Sequence, residues 1–353
     1  MVKEYGYEYD AVLDETLYRK TRNKVAHEKF MGAMCLRSGR DALKVIAREF
    51  EPTLVLIPAL ACDSMILPFE IYGHEVKYYK LNDDYSINLD SIYRLIKNEN
   101  KTILLLYMDY FGNIAITDME LEEIQAICSK VVFIEDRTHN LFVEKSRKFK
   151  ADFTVASIRK WTEIPDGGLL WTERKLENTE YSRNLIFSKT RLRAQCLRNK
   201  YLACGDEKIK NEYRKIFSNV TDISDEEKIP GLMSQYAYEK ACEIDFKKVN
   251  VVRQRNAEIL INELKGFSFV QDKSGYGDVY VAALIDNRDI VQRKLASMGI
   301  FCTIIWPLND IQRNICEVAK YTEEHMLTIY CDQRYDIEDI KYIASCIRRV
   351  CDA

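Results

Sequence analysis

The chain has 353 residues, of which 47% are hydrophobic and 11% aromatic, so it is a folded globular protein long enough for two subdomains. Its formal net charge of −3 gives no polyanion-binding signature, and nucleic acid is therefore not an expected partner. No stretch reaches the roughly 18 apolar residues of a membrane span, and the N-terminus lacks the apolar core of a signal peptide. We expect no membrane insertion.

The cysteines are scattered along the chain. There are 11 of them, and none forms a C-x-x-C pair. Zinc sites usually cluster their ligands in sequence, so this spacing predicts no metal site. An odd number of cysteines without a secretion signal favours reduced thiols, and hence a cytoplasmic location.

The first half of the chain alternates short aliphatic runs with longer segments of helical period. The runs that predict strands are TLVLIP (53–58), EVKYYK (75–80), TILLLYM (102–108), KVVFIE (130–135), DFTVAS (152–157) and GLLWT (168–172). The segments between them have apolar residues three and four apart, which predicts helices. This alternation is typical of a mostly parallel sheet covered by helices on both faces.

The pattern changes after about residue 174. The charged stretch 177–230 is predicted to be helical and connecting, and a helical pattern over 234–265 ends at Gly266. Later segments predict a compact α+β unit. They are FSFVQ (267–271), a turn at 273–278, VYVAALI (279–285), a helix near 287–298, IFCTIIW (300–306), MLTIYC (326–331) and a helix from about 336.

Polar side chains follow several predicted strands at their carboxyl ends, where parallel sheets bind ligands. Asp136 and His139 follow one strand, and Ser157 and Lys160 follow the next. A buried lysine forms a Schiff base with a carbonyl, and pyridoxal phosphate (PLP) also needs a carboxylate at its ring nitrogen. Asp136 and Lys160 fit these two roles. Taken singly, however, an aspartate there can cap a turn and a lysine can be solvated.

A phosphate site is predicted just before the first strong helical segment. Ser38 and Gly39 precede the amphipathic stretch RDALKVIAREF (40–50). Gly39 lets the backbone approach an anion, which then meets the free N–H groups of the first helical turn. Ser157 can add a hydroxyl. The alternative for Ser38 is an ordinary helix N-cap.

Set in order, these segments resemble a known family. SGRDAL (38–43), the stretch 55–92, IEDRTHNLF (134–142) and SIRKWTEIPDGGLLWT (157–172) resemble the motifs of fold-type I PLP enzymes, most of all DegT/StrS-type sugar aminotransferases. TIYCDQRY (328–335) resembles that family's closing strand. The resemblance implies an α/β, aspartate-aminotransferase-like fold with a mostly parallel seven-stranded sheet between helices and a small C-terminal α+β domain. The implied parts are an N-terminal arm (1–30), a large PLP-binding domain (31–235) and the small domain (236–353).

The resemblance also implies site roles. Lys160 would be the Schiff-base lysine and proton shuttle, Asp136 would pair with the pyridine nitrogen, and His139 would lie near the ring or support Asp136. Groups that would hold the phosphate are Ser38, Gly39, Arg40 and Ser157. A homodimer is implied because family sites borrow residues across subunits.

The sequence departs from the family pattern at several positions. Cys62 stands where an aromatic residue commonly stacks on the ring, so stacking would come from Tyr110 or Phe111. The usual histidine of the preceding strand is missing, with Asp109 nearby. The serine precedes the lysine by three residues instead of five, and 229–235 lacks the expected asparagine. These differences put the nucleotide-sugar substrate in doubt.

Arginines are candidate binders of an anionic substrate group because the guanidinium is a planar fork of donors. Arg159 flanks the lysine and Arg334 comes from the small domain; surface ion pairing is the alternative for both. The predicted function is a PLP-dependent aminotransferase that moves an amino group from an amino acid to a keto-sugar or related keto substrate. Three alternatives stay open: a PLP-dependent dehydratase or decarboxylase, a degenerate homologue without PLP, and a nucleotide-binding sheet protein. The last lacks its G-x-G-x-x-G turn.

Overall fold

The computed structural model describes residues 2–6, 8–11, 30, 32–97, 99–142, 148–225, 227–270 and 279–352. The predicted turn at 273–278 and most of the predicted N-terminal arm lie outside these ranges. The boundaries at residues 30 and 235 stay a prediction.

The described strands confirm the predicted strand positions of the first half. In chain order they are β1 (Tyr5–Gly6), β2 (Met34–Leu36), β3 (Leu54–Pro58), β4 (Glu75–Tyr79), β5 (Ile103–Met108), β6 (Val131–Asp136), β7 (Phe153–Ala156), β8 (Gly168–Trp171), β9 (Ser268–Phe269), β10 (Val281–Leu284), β11 (Ile300–Phe301) and β12 (Met326–Ile329). Strand β2 was not predicted, because three residues are too short to show a periodic pattern.

Seven of these strands form one sheet in the order β2-β8-β7-β6-β5-β3-β4. The run from β4 through β3, β5 and β6 to β7 is parallel, whereas β8 is antiparallel to both β7 and β2. The predicted mostly parallel seven-stranded sheet is therefore confirmed. Its central strand β5 is fully enclosed, with Leu104, Leu105 and Leu106 all 0% exposed. Such continuous apolar strands are expected where helices cover both faces.

The described helices alternate with the strands, as predicted, only in the first half of the chain. They are α1 (Gly39–Ala47), α2 (Asp63–Glu70), α3 (Leu89–Ile96), α4 (Asp118–Ile127), α5 (Ile186–Cys204), α6 (Glu207–Asp225), α7 (Gln235–Glu243), α8 (Phe246–Glu263), α9 (Arg288–Ser297), α10 (Asp310–Ile315), α11 (Glu317–His325) and α12 (Ile337–Cys351). Local side chains fix several starting points. Ser38, Asn88 and Thr117 each accept a hydrogen bond from a backbone N–H of the first turn.

The region 234–265, predicted as one long helix, is helical but is divided into two helices. The prediction of a continuous helix was therefore wrong. Helix α7 ends after Glu243, and the backbone is extended at Ile244. The side chain of Asp245 then accepts from the backbone N–H of Lys248 and starts α8. Ile244 is buried at 1% exposure, so an apolar residue within the break kept the helical period intact in sequence.

Two further segments differ from their predicted form. Helices α5 and α6 confirm the helical prediction for much of 177–230, but residues 177–185 form neither helix nor strand. The IFCTIIW run is a strand only at Ile300–Phe301, which pairs in parallel with β1. The separate antiparallel sheet β12-β10-β9 packs with α8, α9 and α11 and gives the α+β unit expected there.

Three observations apply to the described residues alone. No helix among them is long and apolar enough to cross a membrane. They contain no cluster of three or more His, Cys, Asp or Glu able to hold a metal ion. All 11 cysteines are among them, and each is a free thiol.

Candidate active site

A pocket lies at the carboxyl ends of β6 and β7, and we call it the Lys160 pocket. It brings together most of the predicted site residues, although they come from distant parts of the sequence. Those that line it are Ser38, Gly39, Arg40, Cys62, Asp136, Ser157, Arg159 and Lys160.

Lys160 lies just past β7, in a single 3₁₀ turn formed by Ile158–Lys160. Its amine makes no hydrogen bond to any described residue and lies 6.0 Å from the ring centroid of Trp306. Burial lowers the pKa of the Lys160 amine, and the neighbouring Arg159 and Arg40 act in the same direction, while Cys62 and Asp136 oppose it. Lowering this pKa favours the neutral amine, which is the nucleophilic form.

Asp136 is the last residue of β6 and is buried at 8% exposure. One carboxylate oxygen accepts a hydrogen bond of 2.8 Å from the backbone N–H of Thr138. Burial raises the pKa of Asp136, while the contacts with Thr138 and the charge of Lys160 oppose that rise. The carboxylate therefore lies in a pocket where a cationic partner is favourable.

Thr138 links the segment after β6 to the segment after β7, and it was not predicted from the sequence. Its hydroxyl accepts from the backbone N–H of Ser157 at 3.0 Å, and its carbonyl accepts from the Trp161 indole at 2.7 Å. Because Thr138 also holds Asp136, the positions of the aspartate and of the lysine turn depend on one residue. The only local sequence signal for this role was that Thr138 follows Asp136 by two residues.

The N-terminus of α1 forms another wall of the pocket. A Cβ added to Gly39 would lie 3.3 Å from the Cβ of Ser157, so the glycine allows this close approach. The Ser38 hydroxyl donates to the Asp41 carboxylate and accepts from the Asp41 backbone N–H, so it works as a helix cap. The Ser157 hydroxyl makes no hydrogen bond within the described part of the chain.

Two arginines add positive charge to this pocket. Arg40 lies in the first turn of α1 and donates to the Ser64 hydroxyl at 2.7 Å. Arg159 directly precedes Lys160, and its buried Nε has no hydrogen-bond partner among the described residues. Burial lowers the pKa of Arg159 to about 10, and nearby Arg191 contributes.

His139 and Tyr110 lie close by but are not among the residues that line the pocket. His139 is 0% exposed, and its ring stacks on Trp306 with centroids 5.7 Å apart. Neither of its ring nitrogens has a hydrogen-bond partner in the described ranges, and burial lowers its pKa well below 6.5. Tyr110 donates its hydroxyl to the carbonyl of Leu60. Phe111 contacts His139, with ring centroids 4.7 Å apart.

Trp306 is one of two aromatic residues that line the pocket, beside Phe187, and the sequence analysis missed it. It follows β11 and comes from the C-terminal part of the chain. We had assigned this residue to a strand, so nothing in its apolar surroundings indicated a site. Cys62, the residue predicted in place of the family's stacking aromatic, lines the same pocket. Burial raises the pKa of the Cys62 thiol.

Arg334 belongs to a separate buried cluster. Its guanidinium forms a two-pronged ion pair with Asp332 at 2.8 and 2.7 Å. It also donates to the backbone carbonyls of Glu8, at 2.8 Å, and Gly6. Burial opposes the charged form, but Asp332 raises the pKa of Arg334 well above its usual value. The structure thus places Arg334 against the N-terminal strand instead of in the Lys160 pocket.

A lysine and an aspartate thus lie at adjoining strand ends, beside a helix N-terminus. Residues 10–165 match the family model described as aminotransferase class I and II. The match covers less than half of the chain, and it agrees with the resemblance to fold-type I PLP-dependent aminotransferases. No curated protein matches the sequence significantly.

Solved structures give the more particular likeness. PseC of Helicobacter pylori, an aminotransferase involved in pseudoaminic acid biosynthesis, is 13% identical over 99% of this chain and 100% of its own, with a TM-score of 0.67. The putative sugar aminotransferase Spr1654 of Streptococcus pneumoniae, in its PLP form, is 14% identical over 99% of both chains, with a TM-score of 0.68. A DegT DnrJ EryC1 StrS aminotransferase of Brucella abortus is 15% identical over 96% of this chain and 93% of its own, with a TM-score of 0.62. These similarities confirm the predicted aspartate-aminotransferase-like fold.

The residues of the Lys160 pocket fit PLP. The Asp136 carboxylate suits a protonated pyridine nitrogen, and Arg40, Arg159 and the free N–H groups of α1 suit a phosphate. Lys160 lies within electrostatic reach of both Asp136 and the two arginines. The close approach of Gly39 to Ser157 leaves backbone N–H groups open to an anion.

Proposed function

We propose that the chain is a PLP-dependent aminotransferase that moves an amino group from an amino acid to a keto-sugar or a related keto compound. The observation that carries this proposal is the pairing of Lys160, whose pKa is lowered, with the buried carboxylate of Asp136 in one pocket. The structural likeness to PseC, which takes part in pseudoaminic acid biosynthesis, and to the putative sugar aminotransferase Spr1654 supports a sugar acceptor. We infer a role in surface-polysaccharide or secondary-metabolite biosynthesis.

Each residue of the pocket has a defined task in this proposal. When bound, PLP supplies an aldehyde and an electron-withdrawing ring. Lys160 would hold the aldehyde end of PLP and, once freed by the incoming amino donor, would act as the neutral amine that moves a proton from the Cα of the substrate. Asp136 keeps the ring nitrogen protonated. His139 stays uncharged beside the ring, because its pKa is lowered by burial and by the charge of Lys160.

Several groups would orient the two ends of the site. Arg40, Gly39, Ser157 and the cap at Ser38 would hold the phosphate. Trp306 and Cys62 would enclose the ring, with Tyr110 supporting them through Trp306, whose ring centroid lies 6.4 Å from its own. Arg159 is the candidate cation for an anionic group of the ligand. Arg334 already has a full set of partners, so it would affect the site only by holding the N-terminal strand in place.

We further propose a homodimer and a cytoplasmic location. Leu185 and Ile186, 42% and 56% exposed, directly precede Phe187, which lines the Lys160 pocket. A second copy covering this apolar corner would place the two pockets near the subunit interface. The free state of all 11 cysteines supports a reducing compartment. Sedimentation of the purified protein at a range of concentrations would test the dimer.

A half-reaction screen would test the function. The purified protein is loaded with PLP and mixed with single amino acids, and visible absorbance follows the conversion of PLP to pyridoxamine phosphate. We expect one or a few amino acids to cause this change without an acceptor. A protein that stays colourless after PLP is added, and that shows no spectral change in the screen, would refute the enzyme assignment.

A further inference from the structure

Arg159 is a partly buried cation whose buried Nε lacks a partner among the described residues. Its side chain lines the Lys160 pocket, and its buried Nε finds no acceptor within the described ranges. Buried guanidinium groups are normally paired, because an uncompensated charge in a protein interior costs several kcal/mol. An unpaired arginine in a pocket therefore indicates an anionic ligand.

The charges around Arg159 strengthen this argument. Arg191 is the neighbouring cation, and it already holds the nearest carboxylate, Glu8, in an ion pair of 2.9 Å. Arg40 adds a third positive charge within electrostatic reach. Burial and Arg191 lower the pKa of Arg159 to about 10, so the guanidinium is still charged at neutral pH but poorly compensated. One carboxylate serves two arginines here, and an added anion would balance the cluster.

The position of Arg159 indicates which part of a ligand it meets. It follows Ser157 by two residues within one tight turn, and Ser157 packs directly against Gly39 at the N-terminus of α1. Phe187 of α5 also lines the pocket and lies 5.9 Å from the Arg37 guanidinium, next to the start of α1. Arg191 lies one helical turn further along α5. Because the charge of Arg191 acts on Arg159, the Arg159 guanidinium lies near the helix that borders the α1 N-terminus.

We propose that Arg159 binds the phosphate of the cofactor, together with Arg40 and the backbone N–H groups at the start of α1. This inference rests on the function proposed above and assigns Arg159 to the cofactor instead of the substrate. Two guanidinium groups and a helix N-terminus neutralise a phosphate dianion from within one protomer. Cofactor affinity should therefore depend strongly on Arg159.

The test compares two forms of the cofactor. PLP and pyridoxal differ only in the phosphate, and their affinities are measured by titration of the cofactor-free protein, followed by absorbance. We expect Arg159→Met to weaken PLP binding by roughly 10- to 100-fold, the usual contribution of a charge-assisted hydrogen bond, and to leave pyridoxal binding unchanged. Arg159→Lys, which keeps the charge, should lose less. Inorganic phosphate should compete with PLP in the wild type and more weakly in Arg159→Met.

A matched control and the contrary outcomes complete the design. Arg193→Met removes an arginine of α5 whose side chain is 68% exposed, and it should leave both affinities unchanged. If Arg159→Met keeps the PLP affinity of the wild type but raises KM for the amino donor or acceptor, Arg159 binds substrate and the proposal is wrong. Equal weakening of PLP and pyridoxal would also overturn it. The proposed function fails separately if the wild type binds neither compound.

Discussion

Two buried basic clusters in this chain differ in whether their charges are satisfied. Arg334 has a bidentate carboxylate partner and two backbone carbonyls, and nearby Arg253 donates to Gln333, Tyr9 and the carbonyls of Trp161 and Val279. In the Lys160 pocket, by contrast, Lys160 makes no hydrogen bond to a described residue, and the buried Nε of Arg159 has no partner there. The two clusters are close together in the fold, since Arg253 donates to the carbonyl of Trp161, the residue directly after Lys160. A difference in location therefore does not explain why one cluster is satisfied and the other is not.

The comparison separates cations whose partners lie within the fold from cations that the fold leaves without a full set of partners. Asp332 raises the pKa of Arg334, whereas burial lowers the pKa of Lys160 and of Arg159. Removing one partner of a buried ion pair is costly, because it leaves an uncompensated charge in the interior. An unsatisfied cation costs stability in the empty protein and contributes binding free energy when a ligand arrives. The experiments below change one cluster at a time.

The largest expected effect is that of Lys160→Ala. Turnover should fall on the order of 10⁴-fold, because the variant lacks the group that moves the substrate proton. Lys44→Met is the control, since Lys44 is also a buried lysine but donates to the carbonyl of Glu227. That variant should keep its turnover. Similar steady-state rates for Lys160→Ala and the wild type would refute the assignment.

Substitutions in the Arg334 cluster should change the free energy of unfolding. Arg334→Met leaves the buried Asp332 unpaired and should lower the free energy of unfolding by about 3–5 kcal/mol, measured in urea on the cofactor-free protein. Arg159→Met should leave that value unchanged or raise it, because it removes a poorly compensated charge. The double variant Arg334→Met/Asp332→Asn should recover part of the loss. Equal destabilisation by Arg159→Met and Arg334→Met would contradict the distinction between the two clusters.

Asp136→Asn should separate cofactor binding from turnover. The amide keeps the shape of the side chain but no longer holds the ring nitrogen protonated, so kcat should fall by about 10²–10³-fold while coloured cofactor remains bound. Asp109→Asn is the matched control. Asp109 is also a buried aspartate at the end of a strand, but it accepts from the backbone of Ala115 and the amide of Asn140. Asp109→Asn should lower the free energy of unfolding, and its effect on kcat should be the smaller of the two.

The smallest effect concerns pH. The pKa of Lys160 in the folded chain is lowered from 10.5, so between the two pKa values the unfolded chain binds a proton that the folded chain does not. The cofactor-free wild type should therefore gain stability with rising pH relative to Lys160→Met, by about 1.4 kcal/mol for each pH unit in that interval. Below it, the cost of burying the charge is fully present. Urea titrations at several pH values measure the difference; a difference that falls with pH would contradict the lowered pKa.

The parts of the fold that could be predicted from sequence are those with strong local patterns. The strands over 53–172 are continuous apolar runs, and Asp136 and Lys160 follow two of them directly, so the rim of the sheet was predictable. The break at Ile244 was not, because a buried apolar residue continued the helical period through it. Trp306 was missed for a different reason. Its place in the pocket depends on nearness to Lys160 across 146 positions of the chain, and no local pattern encodes that.

The partners of Arg159 and Arg334 could not be fully predicted from the sequence either. Arg159 and Arg334 look alike in sequence, as single arginines beside aromatic or basic residues. Asp332 lies two residues before Arg334, and this proximity was a usable signal for an ion pair. The neighbours of Arg159, Glu8 and Arg191, come from the N-terminal segment and from α5, and only the fold brings them together.

The most direct test of the account is to identify the lysine that bonds the cofactor. The protein is incubated with PLP and treated with borohydride, which turns a carbon–nitrogen double bond between lysine and cofactor into a stable amine. It is then digested, and the peptides are analysed by mass spectrometry. The account predicts a phosphopyridoxyl group on Lys160 and none on the other buried lysine, Lys44. Absence of the modification, or its presence on a different lysine while Lys160 stays free, would contradict the central claim.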